Sequence, residues 1–233
     1  MLDNINIEDV LFLDIETAPI AYKYNELDEN MKKSWDLKFR YSEETPEELY
    51  IKAGIYAEFA KVICISVGIV TKGKEYKTKS FFGDDEKKLL TEFFGLLQSH
   101  YNKEQHTLCA HNGKEFDFPF ICRRALINGL KLPKILNIAG KKPWEIKHLD
   151  TMELWKFGDY KSYTSLTLLA AVFGIPTPKD DIDGSQVAKV YWEEKNLERI
   201  VTYCQKDVLT VAQLFLRYKG EPMIQQEQII IAS

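Results

Sequence analysis

The ten residues from Val10 to Pro19, Val-Leu-Phe-Leu-Asp-Ile-Glu-Thr-Ala-Pro, constrain this chain more than any others. Four consecutive apolar residues, Val10 to Leu13, call for a strand covered on both faces, because a half-exposed strand alternates. The run then passes into Asp14-Ile15-Glu16. Side chains alternate across a strand, so Asp14 and Glu16 share one face while Ile15 returns to the core. Two carboxylates side by side at the end of a buried strand repel each other and resist desolvation, and a cation between them relieves both costs. The plain alternative is a strand ending in solvent, with Thr-Ala-Pro as its turn.

Around this strand the pattern is that of an α/β protein. Val62–Val70 and Glu75–Phe82 read as two further strands joined by a hairpin at Lys72-Gly73-Lys74. A helix is expected from Asp84, with Leu89, Leu90, Phe93, Phe94 and Leu97 at helical spacing. Thr107–Ala110 reads as a short strand and Phe118 to Asn128 as a helix closed by Gly129. Further helices are expected over Ser162–Phe173, Ser185–Glu194 and Leu197–Lys219. Strands come first and helices then accumulate, which predicts a mixed sheet with antiparallel first strands, flanked by helices. The 233 residues are read as one domain, 1–233, with a helical insertion at about 21–58 lying over the sheet. In that insertion Thr45-Pro46-Glu47-Glu48 has the form of a helix start. Asp181-Ile182-Asp183-Gly184 resembles part of a calcium loop but has Lys179 and Val190 at the outer ligand positions, so a turn with Asp183 or Ser185 as helix cap is the better account.

A formal charge of −4 argues against a protein that holds nucleic acid by bulk electrostatics, though not against an enzyme that meets phosphates through bound metal ions. A basic stretch runs from Lys131 to His148; its lysines are read either as following a nucleic-acid backbone or, for most of them, as a solvated loop, the second being the default account. Cys64, Cys109, Cys122 and Cys204 fall in apolar stretches with no Cys-x-x-Cys pair, which reads as buried reduced thiols and a cytoplasmic location. The start of the chain lacks the basic and apolar regions of a signal peptide. The longest apolar run is too short to span a bilayer, so no membrane partner is expected.

Two more acidic positions stand out. Asp117 follows His111-Asn112-Gly113-Lys114-Glu115-Phe116 and sits where a strand gives way to a helix. It is either an N-cap or a third carboxylate at the kind of junction where α/β sites are built. In the last helix Leu197, Val201, Cys204, Val208, Val211 and Phe215 define a buried stripe. Asp207 flanks that stripe with Tyr203 one turn below it, and a rim contact between the two is the default account of the pair.

Taken in order, Asp14-x-Glu16, Asn112-x-x-x-Phe116-Asp117 and Tyr203-x-x-x-Asp207 resemble the three motifs of the DEDD superfamily of 3′-5′ exonucleases. Tyr203, four residues before the last Asp, marks the DEDDy branch; the other branch needs a His where this chain has Thr202. The chain is most similar to stand-alone bacterial proteins like the proofreading domain of family B DNA polymerases, from about Val10 to Arg217. The resemblance implies a ribonuclease H-like fold and catalytic roles for Asp14, Glu16, Asp117, Tyr203 and Asp207. It also implies that the Thr17 backbone, Asn112 and Phe116 grip the terminal nucleotide.

Four oxygen ligands with no His or Cys among the motif acids favour Mg²⁺ or Mn²⁺ over zinc. By resemblance, two such ions are held by Asp14, Glu16, Asp117 and Asp207, with Asp14 bridging, and Tyr203 orients the attacking water. The expected reaction is stepwise hydrolysis at single-stranded 3′ ends, of DNA ahead of RNA, to nucleoside 5′-monophosphates. An exoribonuclease that trims RNA 3′ ends and a non-catalytic nucleic-acid-binding module are the competing readings.

Overall fold

The structure is a computed structural model and describes residues 2–159, 161, 163–176 and 182–232. Its strands are β1 (Val10–Pro19), β2 (Ala60–Val70), β3 (Tyr76–Phe82), β4 (Thr107–Ala110), β5 (Leu149–Asp150) and β6 (Ile229–Ile231), in the order β5-β4-β1-β2-β3-β6. The pairs β1–β2 and β2–β3 are antiparallel, while β4 and β5 extend the sheet in parallel from β1. The helices are α1 (Glu29–Lys38), α2 (Pro46–Tyr50), α3 (Glu86–His100), α4 (Asp117–Ile127), α5 (Thr151–Lys156), α6 (Leu166–Phe173), α7 (Val187–Lys189) and α8 (Leu197–Lys219).

Alternation along β1 divides the core in two. Leu11, Leu13 and Ile15 pack with Leu90 and Phe93 of α3 and with Phe118 and Ile121 of α4. Val10 and Phe12 pack with Val208, Val211 and Phe215 of α8, with the Phe12 and Phe215 rings edge to face at 5.5 Å. The apolar start of β1 is therefore covered on both faces, each fully buried large side chain contributing about 1.5–3 kcal/mol. Asp14 and Glu16 continue the phase of Phe12, and Asp14 meets α8 at Cys204. The β1–β2 ladder slips between Glu16 and Thr17, where Glu16 opposes Cys64 but Thr17 opposes Val62. This bulge turns the end of β1 just past the two acids.

Most elements fall where the pattern puts them, and the departures have local causes. Helix α6 starts at Leu166 because Ser165 caps it by accepting the Leu168 N–H; the expected start at Ser162 lies outside the described residues. The stretch expected to be helical from Ser185 begins with a turn, Asp183 accepting the Ser185 N–H, and continues through α7 into a wider turn over Val190–Glu194. Lys179 and Asp181, positions in the calcium-loop comparison, lie outside the described residues. The segment between β1 and β2 does hold two helices, with Thr45 and Glu48 capping α2 reciprocally. They close on each other rather than spread over the sheet, because Trp35 gathers Phe39, Tyr50, Tyr56 and Phe59 around itself within 5.8 Å. Their link to the strands runs mainly through the turn Ala53–Ile55. Among the described residues no helix is long and apolar enough to cross a membrane.

Candidate functional site

At the carboxyl ends of β1 and β4, three distant segments bring their acids together. Asp14 and Glu16 come from β1, Asp117 from the first position of α4, and Asp207 from the middle of α8. Each element is held there by its own apolar residues: β1 by both cores, α4 by Phe118 and Phe120, and α8 by Cys204, Val208 and Val211. The acids sit beside these anchors and inherit their positions.

The loop ahead of Asp117 is tightly built. Asn112 has φ 62°, and Gly113 passes so close to Ala110 that an added Cβ lies 2.4 Å from the Ala110 side chain. The loop is gripped by Asp150, whose carboxylate accepts the N–H groups of Asn112 at 3.0 Å and Lys114 at 3.1 Å, and also those of Met152 and Glu153 at the start of α5. His111 reinforces the grip through Thr151 Oγ1 and the Thr164 carbonyl, both at 2.9 Å. Asp117 itself is no N-cap: Phe116 occupies that position, and Asp117 Oδ1 is buried with no hydrogen-bond partner.

The electrostatics of the cluster are those of crowded, poorly compensated charge. Burial, followed by Glu16, Asp117 and Asp207, holds Asp14 well above the usual carboxylate range, opposed by the Cys204 thiol, which donates to Asp14 Oδ2 at 3.4 Å. Glu16 is raised in the same way, first by burial and then by Asp207, Cys64 and Asp117. Neither has a basic side chain offsetting the shift. Burial, with Asp150 adding to it, pushes Asp117 up to about 7, despite the backbone N–H groups of Asp117 and Ile15. Tyr203 hydrogen-bonds Asp207, and burial together with Asp207, Glu16 and Asp14 raises its hydroxyl further above its ordinary value, so it stays protonated. One ligand atom each from Asp14, Glu16 and Cys204 lies within 4.8 Å of the others. A divalent cation would relieve the repulsion between Asp14 and Glu16, and Asp117 Oδ1 has no protein partner competing for it, so the residues present fit such an ion.

Of the residues singled out from the sequence, Asp14, Glu16, Asp117, Tyr203 and Asp207 meet in this cluster. Thr17 follows Glu16 on β1, and its hydroxyl donates to the Gly54 carbonyl at 2.7 Å. Asn112 lines a hollow of about 430 Å³ beside the loop, and its side-chain oxygen is buried without a donor. Phe116 is partly buried against Phe120, with ring centroids 5.3 Å apart. Two participants escape sequence reading. Asp150 precedes Thr151 at a helix start, a capping pattern that marks it as structural but says nothing of its hold on residues 112–114. Cys204 reads as core, and only its contact with Asp14 shows that its thiol reaches the acids.

Comparison with known proteins points the same way. The sequence profile of a family described as a predicted 3′-5′ exonuclease related to the exonuclease domain of PolB matches residues 55–228. Asp14 and Glu16 precede the matched stretch. A DNA polymerase of Desulfurococcus sp. (strain Tok) is 26% identical over 141 residues, covering 55% of this chain and 18% of the polymerase. A DNA polymerase of Pyrococcus horikoshii is 27% identical over 124 residues, covering 48% of this chain and 10% of the polymerase. The chain thus spans less than a fifth of these relatives. The family B DNA polymerase from the hyperthermophilic archaeon Pyrobaculum calidifontis superposes with a TM-score of 0.51 over 90% of this chain and 24% of its own, at 16% identity. That likeness shows the fold, a ribonuclease H-like mixed sheet flanked by helices.

Proposed function

The chain belongs to the family of predicted 3′-5′ exonucleases related to the exonuclease domain of PolB, and from that premise we propose that it removes nucleotides stepwise from the 3′ ends of single-stranded nucleic acid, DNA ahead of RNA. Water adds to the terminal phosphorus, the upstream 3′ oxygen leaves, and a nucleoside 5′-monophosphate is released. The polarity rests on family membership, and the preference for DNA on the DNA polymerases among the relatives.

What carries the reading is the meeting of four carboxylates from three segments, with no basic side chain offsetting Asp14 or Glu16 and with Asp117 Oδ1 unpartnered. Asp14, Glu16, Asp117 and Asp207 would hold two divalent cations, Mg²⁺ or Mn²⁺, which when bound supply Lewis acidity and a water of lowered pKa. Tyr203, protonated and hydrogen-bonded to Asp207, donates from a fixed position and orients the attacking water rather than deprotonating it. The Thr17 backbone, Asn112 and Phe116 hold the terminal nucleotide. Asp150 keeps the loop carrying Asn112 in place, so a single-stranded end finds its donors and acceptors already arranged.

Oligonucleotides labelled at either end test this. With Mg²⁺ or Mn²⁺, a 3′ label is expected to leave as a mononucleotide at the first turnover, while a 5′ label marks a descending ladder; a chelator stops both. Parallel DNA and RNA strands separate the deoxyribonuclease from the exoribonuclease. Internal cutting, or release from the 5′ end, would overturn the assignment, and binding without cleavage under either metal would favour a non-catalytic module.

A further inference from the structure

The basic segment between positions 131 and 148 has no part in the chemistry above, yet it carries five lysines and one glutamate in a chain of net charge −4. Glu145 is used locally, accepting the Lys142 N–H at 2.7 Å. The backbone here is pinned rather than loose. Leu136 is fully buried and its carbonyl takes the Cys122 thiol, the Ile135 carbonyl accepts from His148, and the Lys147 carbonyl accepts from Thr107. Lys134, Lys141 and Lys147 remain exposed, and no carboxylate pairs with any of them among the described residues.

These lysines line two adjoining hollows. One, of about 430 Å³, is lined by Asn112, on the loop that carries Asp117, together with Lys141 and Lys156. The other, of about 210 Å³, is lined by Lys141, Lys134 and Lys147. Lys141 lines both, so the lysines of this segment and the loop ahead of Asp117 border neighbouring hollows. Lys114 is spent on Glu153 at 2.6 Å, and Glu104, Glu115 and Asp159 share the rims, so the positive charge of the two hollows is carried by Lys103, Lys134, Lys141, Lys147 and Lys156. The imidazole of His148 adds none: its Nδ1 accepts the Leu108 N–H and its Nε2 donates to the Ile135 carbonyl, an arrangement only the neutral ring makes. On the same segment Trp144 is 77% exposed, with Lys142 Nζ 5.1 Å from its ring centroid. Outward lysines on a fixed backbone beside a bare aromatic ring are the elements with which proteins follow a single strand, lysines on phosphates and the ring under a base.

We propose that residues 131–148 form the track for the single-stranded DNA upstream of the cleaved end, its phosphates engaging Lys134, Lys141 and Lys147 and one base stacking on Trp144. This rests on the exonuclease reading for its direction, since the 3′ nucleotide at the acids leaves the upstream strand to run past Asn112. The test compares the full chain with the triple variant Lys134→Gln/Lys141→Gln/Lys147→Gln and, independently, with Trp144→Ala. On a long oligodeoxynucleotide the triple variant is expected to raise KM about tenfold with kcat unchanged. The slope of log kcat/KM against log salt should flatten by about two, since each phosphate neutralised on a single strand contributes roughly 0.7. Trp144→Ala is expected to weaken the long strand by about tenfold without changing the salt slope. Cleavage of a dinucleotide, which has no upstream strand, should be unaffected by either variant.

Fluorescence anisotropy of the long strand on Asp14→Ala protein, which is expected to cut nothing, reads the track apart from catalysis. The same two losses are expected there. Cleavage failing in the parent chain while salt-steep binding persists would sink the nuclease reading alone. Unchanged KM, affinity and salt slope in both variants would overturn the track, leaving the basic face to an acidic protein surface. Equal losses on dinucleotide and long strand would overturn it too, because the lysines would then act at the cluster itself.

Discussion

Two groups of buried carboxylates in this molecule are treated in opposite ways. Glu86, at the start of α3, meets Arg124 of α4 in a two-pronged pair, Nε to Oε1 at 2.9 Å and Nη2 to Oε2 at 2.6 Å. It also accepts the Val62 N–H and the Asn128 amide, both at 2.7 Å. Arg124 in turn donates to the Ala57 carbonyl. Here every buried charge has a counter-charge and hydrogen bonds to match, as a structural ion pair must. In the cluster of Asp14, Glu16, Asp117 and Asp207, by contrast, Asp14 has a thiol for a donor, Asp117 Oδ1 has nothing, and the acids raise one another's pKa values. The chain therefore carries the means to satisfy a buried carboxylate and does not apply them at the carboxyl end of β1. The shortage of positive charge at Asp14 and Glu16, beside a fully paired neighbour, is what the proposed cation site requires.

The comparison is broken most directly at the cluster. Asp14→Ala or Asp207→Ala is expected to lower exonuclease turnover by about 10⁴-fold or more. The chelated protein should melt no earlier than the parent, since one source of repulsion is gone. Label release and thermal melting in a chelator read the two effects, and an Asp14→Ala chain as active as its parent would remove the site altogether. The structural pair should behave the other way round. Arg124→Met leaves Glu86 buried without its partner and is expected to cost about 3–5 kcal/mol in urea unfolding, while the folded protein keeps its turnover. Adding Glu86→Gln should restore part of that loss, and a cost under about 1 kcal/mol for Arg124→Met would show that the pair is not what holds α3 to α4.

The smallest effect sharpens the contrast through pH. Asp117 is raised from 3.8 to about 7 in the folded chain, so its contribution to stability is complete below about 4 and is lost as pH rises through 7. Asp14 and Glu16 are raised too and act in the same direction. Metal-free protein is therefore expected to melt at falling temperature as pH climbs across that window. Saturating Mn²⁺ should flatten the trend by binding the ionised acids, and Asp117→Asn should shrink it. A melting temperature independent of pH in the chelator would mean that the acids are compensated after all.

How much of this was legible beforehand follows from the range of each interaction. Alternation along Val10–Glu16 and the four-and-three stepping of Leu197–Phe215 are local periodicities, so the two-sided burial of β1 and the bounds of α8 follow from the residues alone. So does the shared face of Asp14 and Glu16. Strand β5 escaped because two residues carry no pattern, and the hold of Asp150 on Asn112 and Lys114 escaped with it. The Glu86–Arg124 pair and the Cys204 thiol on Asp14 join positions far apart in the chain and unremarkable in their own neighbourhoods. The lysines of 131–148 are visible as a count, but nothing local tells that Lys141 lines two hollows or that the backbone beneath is pinned. By itself, then, the sequence determined which residues turn inward and where the acids fall along each element. Tertiary structure alone decided which acids meet and which of them are left without a counter-charge, because periodicity acts within a few residues whereas desolvation and Coulomb repulsion depend on whatever the fold brings within a few ångströms.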